Sequence, residues 1–142
     1  DPRHRVYSAL YGAALKAEAQ IFLPQIVLGE FVRQSLHQYT KSVSKERPRK
    51  IHGHADYGRW MNDISDEVFH IVSACKLLDD RFSELDLETC FKHSAAASIE
   101  FNDVMLAAIC KSNKLVLVTD DGDYASSAIS IASSNKKLVG NG

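Results

Sequence analysis

The 142-residue chain lacks an excess of charge of either sign, with 17 Lys and Arg against 18 Asp and Glu. No global field therefore draws it to nucleic acid, and any such contact has to come from a local patch. It also lacks an apolar run near the length of a membrane-spanning helix, and it carries no pattern of a secretory signal. No membrane contact is expected. C-x-x-C is absent too: Cys75, Cys90 and Cys110 are odd in number, widely spaced and set among apolar neighbours. That argues against a disulfide framework and a thiolate zinc site, and it fits buried free thiols in a reducing, cytoplasmic setting. No repeat, linker or low-complexity segment interrupts the chain. With 45% hydrophobic and 25% charged residues, it reads as one domain over residues 1–142 with a real core. An initiator Met is missing as well, and Asp1-Pro2 is a turn dipeptide, so further residues are expected upstream.

What is present is concentrated in Lys114–Tyr124, K-L-V-L-V-T-D-D-G-D-Y. Leu115–Val118, with two β-branched valines, reads as a short buried strand of a parallel sheet. Three carboxylates follow within four positions, Asp120, Asp121 and Asp123, with Gly122 between them. Ligands of open α/β sheets bind just beyond the carboxyl ends of strands. Like charges packed so tightly need water or a cation to relieve them.

The remainder alternates between helical and extended patterns. Val6–Ala19 has helical spacing, Ile21–Leu23 reads as a short strand that Pro24 ends, and Gln25–Tyr39 is strongly amphipathic. Glu30 lies opposite that apolar stripe and shares its face with Arg33 and His37. By itself this is a surface pair worth about a few tenths of a kcal/mol. Tyr57–Leu78 reads as a second long helix, with Trp60, Met61, Ile64, Val68, Ile71, Val72 and Cys75 as its stripe. Phe82–Leu87 alternates and reads as an edge strand, and Glu88–Ser98 as an alanine-rich helix. In E-F-N-D-V-M-L-A-A-I-C, Asn102 is a good N-cap and Asp103 falls in the first turn. Val104–Cys110 is apolar almost all round, which marks a buried helix. Tyr124–Ser134 is expected to be helical, and Leu138-Val139 a final strand.

Positive charge gathers in one place. Lys41, Lys45, Arg47, Arg49 and Lys50 stand against a single Glu46, near the helix-breaking Pro48. Such a run is usually a solvated loop, but it is also the natural place for phosphate contacts. His52 and His54 flank Gly53 in a turn with no third metal ligand close in sequence.

Strands alternating with helices argue for an α/β parallel sheet flanked by helices and joined by right-handed crossovers. Within that frame, three segments resemble the PIN domain, in particular the small VapC-type toxin ribonucleases. They are L-P-Q-I-V-L-G-E-F-V-R with Glu30, F-N-D-V-M-L-A-A-I with Asp103, and L-V-L-V-T-D-D-G-D-Y with Asp121 and Asp123. The resemblance runs from about Asp1 to Val139. It implies a five-stranded, flavodoxin-like parallel sheet and divalent-metal-dependent cleavage of RNA. It also implies a homodimer and, for a toxin, an antitoxin partner. The family carries a further Asp at the end of its first strand, in a D-T/S/A-N-V/I-like segment that nothing here matches. The expectation is therefore that this central strand precedes Asp1, roughly five or six residues long and ending in an Asp. Asp120 falls where the family varies, and no role is carried onto it.

The chemistry is consistent with that resemblance. Mg²⁺ and Mn²⁺ take hard oxygen ligands, and bound ions can activate water and neutralise a phosphodiester under attack. Glu30, Asp103 and Asp121 are thus candidate metal-site and catalytic carboxylates, with Asp123 completing or bracing the site. Arg33, Lys45, Arg47, Arg49 and Lys50 are weaker candidates for RNA backbone contacts. An EF-hand fails because no Glu follows at the required spacing. A phosphotransferase using Asp121 and Asp123 would need its nucleophilic Asp on the first strand. The main alternative is a catalytically degenerate PIN-like domain that serves as a binding or scaffold module.

Overall fold

The computed structural model describes residues 2–43 and 50–139. They form six helices and four two-residue strands, and the chain divides into two compact units, Ala14–Asp79 and Asp1–Ala13 with Asp80–Gly142. The division falls inside the first helix, α1, Pro2–Lys16. Glu18 ends that helix with φ 53°, in the left-handed region, while the Ala19 N–H reaches back to the Ala14 carbonyl at 2.9 Å. This is the Schellman closure, with Glu18 where glycine is usual.

In the unit Ala14–Asp79, β1 (Phe22–Leu23) pairs in parallel with β2 (Lys76–Leu77), Phe22 opposite Lys76 and Leu23 opposite Leu77. Pro24 ends β1 and opens α2, Gln25–Val43, accepting the Leu28 N–H at 3.2 Å. Its own missing N–H costs nothing at a helix start. α2 packs with α3, Tyr57–Val72. Trp60 and Ile64, on α3, are the most completely buried large side chains among the described residues. Tyr39 and His54 each stack on Trp60, at ring-centroid distances of 5.8 and 4.5 Å. The long helix expected over Tyr57–Leu78 therefore stops at Val72. Lys76 and Leu77 turn instead into the ladder, with Lys76 N–H on the Ile21 carbonyl at 2.8 Å.

The other unit is built on α5, Phe101–Ser112, which buries Val104, Met105, Ala107, Ile109 and Cys110, as its all-round apolar sequence anticipates. Burying an aliphatic side chain such as Ile109 contributes about 1.5–3 kcal/mol relative to leaving it in water. α4, Leu87–Ala97, lies against α5, with Phe91 and Phe101 stacked at 4.3 Å. Asp86 caps α4 by accepting the Thr89 N–H at 3.0 Å and the Thr89 hydroxyl at 2.7 Å, and these bonds hold its pKa below the ordinary carboxylate value. α5 ends in the same way as α1. Leu115 N–H bonds the Cys110 carbonyl at 2.9 Å across Lys114, whose φ is 55°. The chain then enters β3, Leu117–Val118, parallel to β4, Ile131–Ala132, with Leu117 opposite Ile131. Ala107, Cys110, Leu117 and Tyr124 form one buried cluster, backed by Leu106, Leu115, Ile129, Ile131 and Leu138.

The α/β character and the parallel pairing agree with the sequence reading, while several details differ. The described residues form two two-stranded sheets and not a five-stranded one, and helix predominates. Phe82–Leu87 is not a strand. Arg81 takes a left-handed conformation (φ 48°) and starts a 3-10 turn, Phe82–Glu84, closed by Leu85 N–H on the Phe82 carbonyl at 3.2 Å. Tyr124–Ser134 is not a helix. A 3-10 turn over Gly122–Ser126 gives way to β4, because Ile131 and Ala132 satisfy their backbone against β3. Leu138-Val139 lies in a four-residue helix, α6 (Lys136–Val139), started by Asn135 Oδ1 on the Lys137 N–H at 3.0 Å. Asn102 is not the N-cap of α5. Glu100 occupies that position, two residues earlier than the capping side chain suggested, and its own side chain makes no cap bond.

Candidate metal centre

Asp103 sits in the first turn of α5, where a negative side chain complements the exposed amides of the helix start. Asp121 and Asp123 sit on the 3-10 turn that follows β3. That turn is held by its own carboxylate. Asp121 Oδ1 accepts the Asp123 N–H at 2.9 Å, and the Asp121 N–H donates to Thr119 Oγ1 at 3.1 Å. Asp is suited to such a turn because its short side chain reaches the backbone two residues on. The outcome is convergence. One oxygen from each of Asp103, Asp121 and Asp123 lies within 4.8 Å of the other two. Asp103 is half-buried, whereas Asp121 and Asp123 are exposed.

This donor set fits a hard divalent cation. All three donors are carboxylate oxygens, the class Mg²⁺ and Mn²⁺ prefer. A bound cation also removes the mutual repulsion of three clustered negative charges.

Two tyrosines brace the surroundings. Tyr124, 4% exposed, donates its hydroxyl to Asp103 Oδ1 at 2.8 Å. Burial, and then that bond and the Asp103 charge, push its pKa far above the ordinary tyrosine value, so it stays a donor at any working pH. Tyr7 on α1 places its hydroxyl 3.0 Å from the Thr119 carbonyl and 3.1 Å from Asp120 Oδ1, one proton shared between two acceptors. The same oxygen accepts the Ser134 N–H at 3.3 Å, and Asn135 Nδ2 donates to the Asp120 carbonyl at 2.6 Å. Asp120 thus ties the turn to its neighbours. The sequence reading assigned neither tyrosine a role. The only local signal for Tyr124 was its place directly after Asp123; its burial comes from packing against Ala107, Cys110 and Leu117, and a buried phenol requires a hydrogen-bond partner.

A family model for the PIN domain matches residues 1–129. The chain belongs to the PIN-domain family. PIN domains are typically nucleases that use a divalent metal, and the acidic group of this one is a donor set of the right kind. Neither the curated proteins nor the solved structures contain a match to the chain.

Glu30 belongs to the unit Ala14–Asp79, half-exposed on α2. It accepts a hydrogen bond from Arg33 and lies 3.5 Å from Gln34 Nε2, and the Arg33 bond holds its pKa below the ordinary glutamate value. Arg33 and Lys50 are exposed, while Lys45, Arg47 and Arg49 lie outside the described residues. His54 accepts the Asp56 N–H at Nδ1 (3.1 Å) and stacks on Trp60, a structural role. The three cysteines are free, and burial raises the pKa of each thiol, so none is an activated nucleophile.

Proposed function

We propose that this PIN domain is a Mg²⁺- or Mn²⁺-dependent endoribonuclease in which Asp103, Asp121 and Asp123 hold the ion. The observation that carries the reading is the approach of three carboxylates from α5 and the turn after β3 to within 4.8 Å. An ion held there supplies Lewis-acid chemistry, acidifying a bound water and neutralising charge on the scissile phosphate. The protein's part is positional. Asp103 is fixed by its helix, Asp121 spends one oxygen on closing its own turn, and Asp123 brings a third charge from the next position but one. Glu30 enters through the match of L-P-Q-I-V-L-G-E-F-V-R to the family, as a further metal-site and catalytic carboxylate. Arg33, Lys50 and the basic residues Lys45, Arg47 and Arg49 serve RNA backbone contacts. Charge reversal at those last three should weaken RNA binding and flatten its salt dependence. In a cell, this chemistry suits a cytoplasmic toxin restrained by an antitoxin protein and assembled as a homodimer.

The test is incubation of single-stranded and structured RNA with the full-length protein, with Mg²⁺, with Mn²⁺ and with EDTA. Cleavage should require the metal and stop with the chelator. Cleavage that survives EDTA overturns the metal mechanism. Binding of RNA without cleavage under every metal condition favours the degenerate-module alternative.

A further inference from the structure

We propose that Tyr124 is a positioning residue of the metal centre, its phenol setting the distance between the Asp103 carboxylate and the turn that carries Asp121 and Asp123. The inference rests on the metal-site reading above and adds a residue that the family assignment does not supply.

Asp103, Ala107 and Cys110 stand at i, i+4 and i+7 on α5 and so share one face of the helix. Tyr124 belongs to the same buried cluster as Ala107 and Cys110, and its hydroxyl reaches Asp103 Oδ1 at 2.8 Å. The side chain is therefore fixed at both ends, its ring by packing and its oxygen by the hydrogen bond. Its backbone directly follows Asp123, and its N–H lies 3.5 Å from the Asp121 carbonyl. The Asp121 and Asp123 bonds described above stay within the turn, and Tyr7 and Asn135 hold it from other directions. A carboxylate ligand that rotates freely must be ordered each time an ion binds, and a partner that fixes it removes that cost. Outer partners of this kind are typically worth about ten- to hundredfold in metal affinity. Phenylalanine at this position would keep the packing and lose only the donor.

The experiment is Mn²⁺ binding to the full-length protein without RNA, followed by electron paramagnetic resonance, for wild type, Tyr124→Phe, Asp103→Ala and the double variant. Tyr124→Phe should weaken Mn²⁺ about ten- to hundredfold, and this loss should vanish in the Asp103→Ala background, which has no acceptor for the phenol, because Tyr124 acts through Asp103. A purely structural tyrosine would weaken both backgrounds alike. Equal Mn²⁺ affinity in wild type and Tyr124→Phe overturns the proposal while leaving the metal centre intact. Failure of the wild type to bind Mn²⁺ overturns the metal reading itself. Should Tyr124→Phe not fold, 3-fluorotyrosine placed at position 124 keeps the test open. Its fluorine resonance should shift on Mg²⁺ titration with the midpoint of Mg²⁺ binding, and an unmoved resonance in a protein that binds Mg²⁺ rejects the assignment.

Discussion

Glu30 and Arg33 neutralise one another on the exposed face of α2, one helical turn apart. The guanidinium bond is the first cause of the depressed Glu30 pKa, with Gln34 a smaller contributor. A carboxylate whose folded pKa is depressed stabilises the native state above its unfolded pKa, and that contribution is lost as pH falls through the folded value. For so exposed a pair the effect on stability is small, and the useful readout is the titration itself. Arg33→Ala should return the Glu30 pKa toward the ordinary glutamate range, followed by carboxyl carbon resonances in an NMR titration. An unchanged Glu30 titration would show that Arg33 is not its partner in solution.

The same pair separates affinity from chemistry. Arg33→Ala should lower RNA affinity and reduce the slope of log affinity against log salt by about one contact's worth. Glu30→Gln keeps the shape, removes the charge and should slow cleavage at saturating RNA with little loss of affinity. A reversed pattern, with Glu30→Gln losing binding and Arg33→Ala losing turnover, would reject both assignments.

Helix ends offer a test independent of function. Glu18, Ser98 and Lys114 all occupy the left-handed position of a helix closure, with φ of 53°, 54° and 55°. A side chain there costs roughly 1–2 kcal/mol against helix-like backbone, and glycine removes that cost while giving back part of it as unfolded-chain entropy. Ser98→Gly and Lys114→Gly should each raise stability by about 0.5–1 kcal/mol, read as a Tm increase of about 2–4 °C. Val in either place should lower the Tm, because β-branching worsens the clash.

These closures mark the limit of what the sequence discloses. Val104–Cys110 could be read as a buried helix because apolar residues occupy every face, and Asp103 therefore had a fixed place at its start. Asp121 and Asp123 were legible because a short β-branched run stops directly before them. The stretch after Tyr124 was not. Ala128, Ile129 and Ala132 fit a helix, yet Ile129 and Ile131 also alternate, and pairing with β3 decides between them. Pairing is a long-range event that a local window does not contain. The bond from Tyr124 to Asp103, 21 residues apart, is invisible for the same reason. In Leu138-Val139 the apolar pair suggested a strand, but Asn135 caps a turn of helix ahead of it.

A homodimer is expected on the apolar surface of the region Tyr57–Leu78. Phe69, Ile71 and Leu77 are 69%, 43% and 68% exposed in the single chain. Exposed apolar groups that form one contiguous patch mark an interaction surface. Sedimentation at tens of micromolar, a concentration of the order at which modest interfaces form, should give twice the chain mass. Phe69→Glu with Leu77→Glu should return the protein to a monomer without lowering its helix content. A wild type that sediments as a strict monomer removes the homodimer from the reading.

The acidic group predicts a conflict between function and stability. Without an ion, the charges of Asp103, Asp121 and Asp123 repel at under 5 Å, and folding has to hold them together. Asn at position 123 relieves one repulsion without altering shape, and Asn at 121 keeps the side-chain oxygen that closes the turn on the Asp123 N–H. In metal-free buffer both variants should therefore melt at or slightly above the wild-type temperature. Both should lose cleavage by about a hundredfold or more, the scale of several kcal/mol of charge stabilisation withdrawn from a metal-assisted step. Added Mg²⁺ should reverse the order of stability, raising the wild-type Tm and leaving the variants behind, because an ion that binds only the folded state stabilises it in proportion to its affinity. Melting curves with and without Mg²⁺, set beside cleavage rates, give all three quantities. Variants that melt lower than wild type in metal-free buffer would show that these aspartates serve the fold. Variants that gain as much from Mg²⁺ as wild type would place the ion somewhere else.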